Sequence, residues 1–484
     1  METLSASFVS DRLNGKSSLD TLKRIRMKCR FMVESEPLCC CVRDRLVLLH
    51  DRVAPLDTED PLKRKYVNVM VRLNRLMERK PLLMRLAKRN TTVQVIRELH
   101  LELDDVTAGL GLVEGDAAPN WQEDWDKLCL EQQAKLAGLV VDCTVDSLTN
   151  EMKTDKKLQE VLMALQSELE TDDPPEIRQL KRTTYNRALS YAKLKGPSVF
   201  YWFISSEDVE CEDKPFGIGT FGEVCRGSWL HDGERQNVVV KRLFKETASA
   251  PDEPFLRQLE IWSEIPDHPN VLKLYGGCHV SSPQFYVCED AHHGNLVDFL
   301  GEEANKGRFW SMFLQVAQGL AFLHARNTVH GGLKCYNILV GDNYTAKLGD
   351  FGFSAIRNLS IELSINKSRA QIQSVRWKPK EMLMETGSGK PPPESDIYSL
   401  GMCMIEAITQ EIPFGMTNDT DVMDLIMKGG CHPRPEDVPI ADETWEMIMR
   451  LCASDFHDRP PLETVIEEIG ILAAAENLPA PDGA

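Results

Sequence analysis

The segment His330-Gly331-Gly332-Leu333-Lys334-Cys335-Tyr336-Asn337 decides how this chain is read. Its two glycines leave position 332 without a side chain, so nothing there can accept or release a proton. Asn337 keeps an amide at the far end of the segment, and Asp350-Phe351-Gly352 follows. Upstream, Gly217-Ile218-Gly219-Thr220-Phe221-Gly222-Glu223-Val224 forms a glycine-rich loop, in which residues without side chains let backbone N–H groups approach the phosphates of a nucleotide. A dinucleotide-binding turn of similar spacing needs a helix opening at its last glycine and an acidic residue beyond. Here a second strand, Glu223 to Gly227, is expected instead. Lys241 ends the Val238-Val239-Val240 strand; an ordinary surface lysine at a strand end is the plainer alternative.

Order settles the choice. The loop, the strand lysine, His268-Pro269-Asn270, the 330–337 segment, Asp350-Phe351-Gly352, Glu381, Asp396 and Asp458-Arg459-Pro460 stand in the order and at the spacings of a protein kinase. About residues 205–473 therefore resemble a protein kinase domain. Leu274-Tyr275-Gly276 and Arg376-Trp377 are similar to the tyrosine-kinase-like branch, whose members are mostly Ser/Thr-directed. The resemblance implies ATP and Mg2+ as cofactors. It places Gly217, Gly219, Gly222 and Val224 over the nucleotide, with Val239, Gln258, Ala291 and Leu339 around it. It puts Lys241 on the α and β phosphates, Glu289 to Ala291 at the adenine hinge and Cys288 at the gatekeeper position. Asp350 and Asn337 become metal ligands, Trp262, Leu274, His330 and Phe351 a stack tying the lobes together, and Glu381 with Arg459 a structural bridge.

The departures carry the functional argument. Gly332 stands where the family has the aspartate that accepts the substrate hydroxyl's proton, and positioned bases of this kind contribute about 10²–10⁴-fold. Lys334 lies close by, and Gly331 removes the arginine that reads an activation-loop phosphate. Gln258 occupies the place of the glutamate that pairs with the strand lysine; an amide can hydrogen-bond Lys241 but brings no charge. Glu260, the alternative partner, lies roughly 200° further round a helix. Val239 replaces the alanine over adenine, and Pro379-Lys380-Glu381 the usual Ala-Pro-Glu. Ser354, Ser360, Ser364, Ser368 and Ser374 offer places where a phosphate could reorder the segment after Phe351.

A chain of 484 residues is too long for one core, and its 42% hydrophobic content supports two or three domains. No window approaches a membrane span and Met1 to Ser10 lacks the regions of a secretory signal, so a cytoplasmic protein is expected. Fourteen cysteines without framework spacing fit free thiols, and Cys39-Cys40-Cys41 fits a helix lining rather than a modified cluster. The net charge of −18 divides into +6 over residues 1–106 and −24 over the remainder.

The first third has helical periodicity. Val42, Leu46, Leu49, Val53 and Leu56 form one stripe; Ile96, Leu99, Leu103 and Val106 form another after an Asn90-Thr91-Thr92 start signal. Pro61 to Arg79 and Pro81 to Arg89 are expected as two further proline-opened helices. A helical stretch from Gln122 to Leu169 and a helix from Glu176 to about Leu194 follow. The expected fold class is α+β: a bilobal kinase fold over 205–473, preceded by an all-α bundle at 1–112 and a helical connector at 121–195, with a tail at 474–484.

Residues 63–89 carry ten Lys or Arg and a single acid, Glu78. They are expected on outer helix faces, either simply solvated or as a patch for an anionic membrane surface. This architecture is similar to that of the mixed-lineage kinase-domain-like proteins, in which the kinase-like part is a phosphorylation-controlled latch on a bundle that attacks membranes. Three readings follow: a nucleotide-binding, catalytically impaired switch or scaffold, an active Ser/Thr kinase using a substitute base or none, and a membrane-directed bundle gated by the kinase-like domain. ATP, protein partners or substrates and, at the periphery, a membrane are the expected partners; nucleic acid is not.

Overall fold

The computed structural model describes residues 13, 17–112, 120–144, 151–152, 154–170, 173–192, 197–212, 214–218, 222–244, 253–351, 375–384 and 391–476. Two compact units emerge, residues 1–213 with 229–236 and residues 214–228 with 237–484.

The first unit is helical. Ser17 caps α1 (Ser18–Cys29) by accepting the Asp20 N–H at 3.1 Å; α2 follows at Glu36–Val53. Asp60 caps α3 (Pro61–Leu76) through the Leu62 N–H at 2.8 Å, where Pro61 has no N–H to satisfy. A short α4 (Leu82–Ala87) leads into α5 (Arg89–Gly109). Both sequence stripes land in one core with Leu22 and Ile25 of α1 and Met70 and Leu73 of α3, although Leu56 is only half-buried. Helix α1 goes beyond the sequence expectations. The Asn90-Thr91-Thr92 signal is not a cap: α5 already begins at Arg89, and the Asn90 and Thr91 side chains reach Asp173 and Asp208. The stretch expected from Gln122 to Leu169 is two helices, α6 (Trp125–Asp142) and α7 (Asp155–Ser167), the latter capped by Thr154 on the Lys157 N–H. With α8 (Pro175–Ala192) they form a second core around Leu83, Leu86, Leu136, Leu162 and Ala188.

The basic run at 63–89 does not cover an outer face. Arg72, Lys88 and Arg89 are buried, and of the ten only Arg79 is exposed. Arg72 holds Glu98, Glu102 and Glu210; Arg64 pairs with Glu59, Lys65 with Asp105, Lys80 with Glu207 and Arg85 with Glu34. Lys63 donates to the Ala54 and Leu56 carbonyls, Arg75 to that of Cys211. Lys88 binds Glu168 and Asp208, each at 2.7 Å; burial pulls its ammonium down, but the two carboxylates outweigh burial and set its pKa at about 12. Arg89 donates to Gln132 and to the Cys129 carbonyl. A cation that leaves water needs a partner. The acids that supply it are scattered from Glu34 to Glu210, outside the run itself.

His100 shows the same economy of protons. It is 1% exposed and stacks on Trp121 at 4.5 Å, while Arg45 donates to its Nδ1 at 3.1 Å. Guanidinium can only donate, so Nδ1 accepts and the ring is neutral. Burial, then Arg45, hold its pKa at about 3, against 6.5 when unperturbed. The folded value is the lower, so stability is complete above about pH 6.5 and is lost as pH falls toward 3. From this residue alone the loss is expected to reach roughly 2 kcal/mol between pH 6.5 and pH 5. Denaturant titrations at several pH values should show His100→Gln with a correspondingly flatter profile; an unchanged slope would mean that the ring protonates freely in the folded protein.

In the second unit, strands β3 (Gly222–His231) and β4 (Glu234–Leu243) form a long hairpin whose tip, 229–236, groups with the first unit. The sheet order is β1 (Val209–Cys211), β3, β4, β6 (Phe285–Cys288), β5 (Leu274–Cys278), with β2 (Gly217–Ile218) on β3. Gly222 is required where β3 passes β4: a Cβ there would lie 2.4 Å from the Arg242 carbonyl oxygen. Helix α9 (Glu253–Ser263) packs beside β5. Then come α10 (Leu296–Gly301) and α11 (Phe309–His324), the hairpin β7 (Ile338–Gly341) and β8 (Thr345–Leu348), and helices α12 (Lys380–Met384), α13 (Glu394–Thr409), α14 (Asp419–Met427), α15 (Asp442–Leu451) and α16 (Leu462–Ala474). A sheet-rich part precedes a helical part, the expected α+β order. No described helix is long and apolar enough to cross a membrane. All fourteen cysteines are free thiols.

Candidate nucleotide site

The 330–337 segment is held from below by α13. The Asp396 carboxylate, 1% exposed, accepts the N–H groups of His330 at 2.7 Å and Gly331 at 2.9 Å, and His324 Nε2 lies 2.8 Å away. Gly331 has φ +64°, which glycine adopts freely. Asn337 donates its Nδ2 to the Gly332 carbonyl at 2.7 Å, which leaves its Oδ1 for a cation. Position 332 therefore contributes a carbonyl that fixes Asn337 and nothing that moves a proton.

Across the cleft, Lys241 on β4 forms an ion pair with Asp350 Oδ2, and the Tyr286 hydroxyl donates to Oδ1 at 2.7 Å. Asp350 has φ +55°, in the left-handed region where strained residues collect at functional sites. The carboxylate and amide oxygens of Asp350 and Asn337 are the ligand type that suits a hard divalent cation. The residues thus fit magnesium. A bound cation would screen phosphate charge.

Gln258 has a partner of its own. It lies inside α9 and is buried, but its Nε2 donates to the Phe351 carbonyl at 3.0 Å, and the ion pair described for Lys241 is with Asp350. Glu260 is half-buried and does not replace it. Trp262 meets Phe351 edge-on at 5.1 Å, and Phe351 meets His330 at 6.3 Å; Leu274 is half-buried on β5 opposite Cys288. Glu381 and Arg459 form a bidentate pair at 2.6 and 3.2 Å.

Glu289 to Ala291 form the segment expected as the adenine hinge. The Glu289 carboxylate accepts the Lys273 N–H and Lys347 Nζ, and the Glu289 N–H is given to the Lys273 carbonyl. Among the described residues, the Glu289 carbonyl and the Ala291 N–H have no protein hydrogen-bond partner. Val239 pairs with Cys288 in register and is 8% exposed, as is Ala291. Leu339 and Val224 are half-buried on their strands, and Gly217 pairs with Val224. Gly219, Gly352 and the five serines from Ser354 to Ser374 lie outside the described residues.

Two tyrosines carry no sequence signal of their own. Tyr286 reads only as an aromatic strand residue. Tyr336 is 47% exposed, and its hydroxyl would lie 3.7 Å from a Cβ built on Gly217. Lys334 Nζ sits 5.3 Å from the Tyr336 ring. Beneath the loop, the ligand atoms of Cys335, Cys403 and Glu406 lie within 4.8 Å of one another. Glu406 Oε2 already accepts the Cys335 N–H at 2.9 Å and Trp377 Nε1 at 2.8 Å, and burial raises both thiols. This trio is a structural anchor.

The family model for protein tyrosine and serine/threonine kinases matches residues 211–469. The chain belongs to that family. It is 31% identical over 284 residues to the fibroblast growth factor receptor 1 of Dugesia japonica, covering 55% of this chain and 32% of that protein. It is 28% identical over 278 residues to the human tyrosine-protein kinase FRK, covering 56% and 52%, and 28% identical over 283 residues to the tyrosine-protein kinase SRK3 of Spongilla lacustris, covering 56% and 80%. The chain thus spans about a third to a half of the length of the first two.

Gln258→Glu tests whether α9 awaits its missing charge. The change removes the donor to the Phe351 carbonyl and buries a carboxylate, so it is expected to cost about 1–3 kcal/mol of stability and to leave ATP affinity no better. Tighter ATP binding in a calorimetric titration would contradict this.

Proposed function

We propose that the kinase-like domain binds ATP and works as a nucleotide- or phosphorylation-controlled switch or scaffold in the cytoplasm, with phosphoryl transfer impaired. The observation that carries this reading is Gly332, which brings no proton acceptor, while Lys241 pairs with Asp350 and Asn337 donates to the Gly332 carbonyl. Phosphoryl transfer depends mainly on positioning and electrostatics, so the site retains most of what holds a nucleotide and lacks what activates an acceptor. An active kinase using a substitute base is the alternative, with Lys334 beside the vacant position and Ser or Thr as acceptor.

Melting of the full chain with and without ATP, alongside phosphate incorporation, separates these. Saturation at a hundred times the dissociation constant adds about 2.7 kcal/mol to the folded state. A shift without incorporation supports the switch; incorporation lost in Asp350→Ala supports the enzyme; neither result would leave a purely structural domain. Gly332→Asp is expected to raise incorporation by about 10²-fold or more if only the base is missing.

A second reading, a bundle that meets an anionic membrane, is favoured by α1 and the turn after it rather than by residues 63–89. Met27, Phe31 and Val33 are 67, 78 and 52% exposed, with Arg26 and Arg30 exposed among them. Leakage of anionic vesicles should fall when Met27 and Phe31 become Ser; leakage insensitive to these changes would remove this reading.

A further inference from the structure

Tyr286 is 2% exposed, on β6 two residues before Cys288. Its ring stands edge-on to Trp262 at 5.3 Å, and Lys241 Nζ lies 5.9 Å from its centroid. That packing aims the hydroxyl at Asp350 Oδ1, 2.7 Å away, while Lys241 takes Oδ2. Both oxygens of the carboxylate that would hold a cation thus already carry a donor from the protein. The phosphates of a nucleotide can draw the Lys241 ammonium toward themselves, but they offer the Tyr286 hydroxyl no comparable reward, since its ring is locked between neighbours.

Magnesium binds at short distances in near-ideal octahedral geometry and tolerates little reorientation of its ligands. A carboxylate pinned by a buried phenol cannot turn to meet it without giving up a charge-assisted hydrogen bond. We infer that Tyr286 is a positioning residue that competes with the divalent cation for Asp350, so that the Tyr286 bond and the metal bond are alternatives. The inference rests on the proposed nucleotide-binding role and deepens it: Tyr286 sets how much of the affinity for ATP depends on metal.

Tyr286→Phe keeps the ring and its packing and removes only the hydroxyl. ATP is titrated into full-length wild type and Tyr286→Phe in Mg2+ and in EDTA. The wild-type dissociation constant is expected to differ less than about threefold between the two conditions, and magnesium to tighten binding about tenfold in the variant, the scale of one hydrogen bond to a charged group. An equal magnesium response in both proteins overturns the inference. A second readout needs no nucleotide: melting temperatures of Tyr286→Phe, Asp350→Asn and the double variant. Non-additive shifts support the bond, and additive shifts overturn it. If neither protein binds ATP, the nucleotide-binding role fails by itself; the melting cycle, with Mn2+ alone titrated by its paramagnetic signal, then decides whether Tyr286→Phe gains cation affinity as expected or fails to.

Discussion

One buried carboxylate, that of Asp396, sets where the loop at 330–337 runs. Its three partners come from two segments, the turn at His330 and Gly331 and the end of α11, and it reaches them from the first turn of α13. Further along the same helix, Glu406 holds the Cys335 N–H and the Trp377 indole. The loop is therefore fastened at both ends through its backbone. What stands at position 332 has no part in the fastening beyond a carbonyl. The glycine at 332 therefore changes what the loop can do chemically without removing any of the bonds that hold it.

Charge does different work in the first unit. Ten cations within 27 residues look like a surface field, yet nine of them go to oxygen acceptors drawn from across the unit. Arg72 alone answers three glutamates. Breaking one partner of such a buried set leaves an uncompensated charge, and this costs far more than a surface pair is worth.

The kinase-like half was legible because its signals are ordered motifs, and the family model covers residues 211–469. Periodicity likewise found the stripes of α2 and α5. Sequence failed where the answer depended on partners remote in the chain. Nothing local says that Lys88 meets Asp208, that Gln258 turns to the Phe351 carbonyl, or that the Tyr286 hydroxyl ends on Asp350. The break between α6 and α7 was missed because polar residues around Thr154 continue a helical composition while capping a new helix. Net charge was read correctly and placed wrongly, since composition carries no information about burial.

The thiols of the second unit lead somewhere practical. Six of its seven cysteines, Cys225, Cys278, Cys288, Cys335, Cys403 and Cys452, are buried, and Cys431 is exposed. Cys288 lies where a cleft-directed electrophile would look for a handle, but burial, reinforced by the charge of Asp350, pushes its thiol far up, and a protonated sulfur is a poor nucleophile. Covalent chemistry aimed at the cleft therefore meets a closed door, whereas a dye on Cys431 marks this half of the molecule from outside.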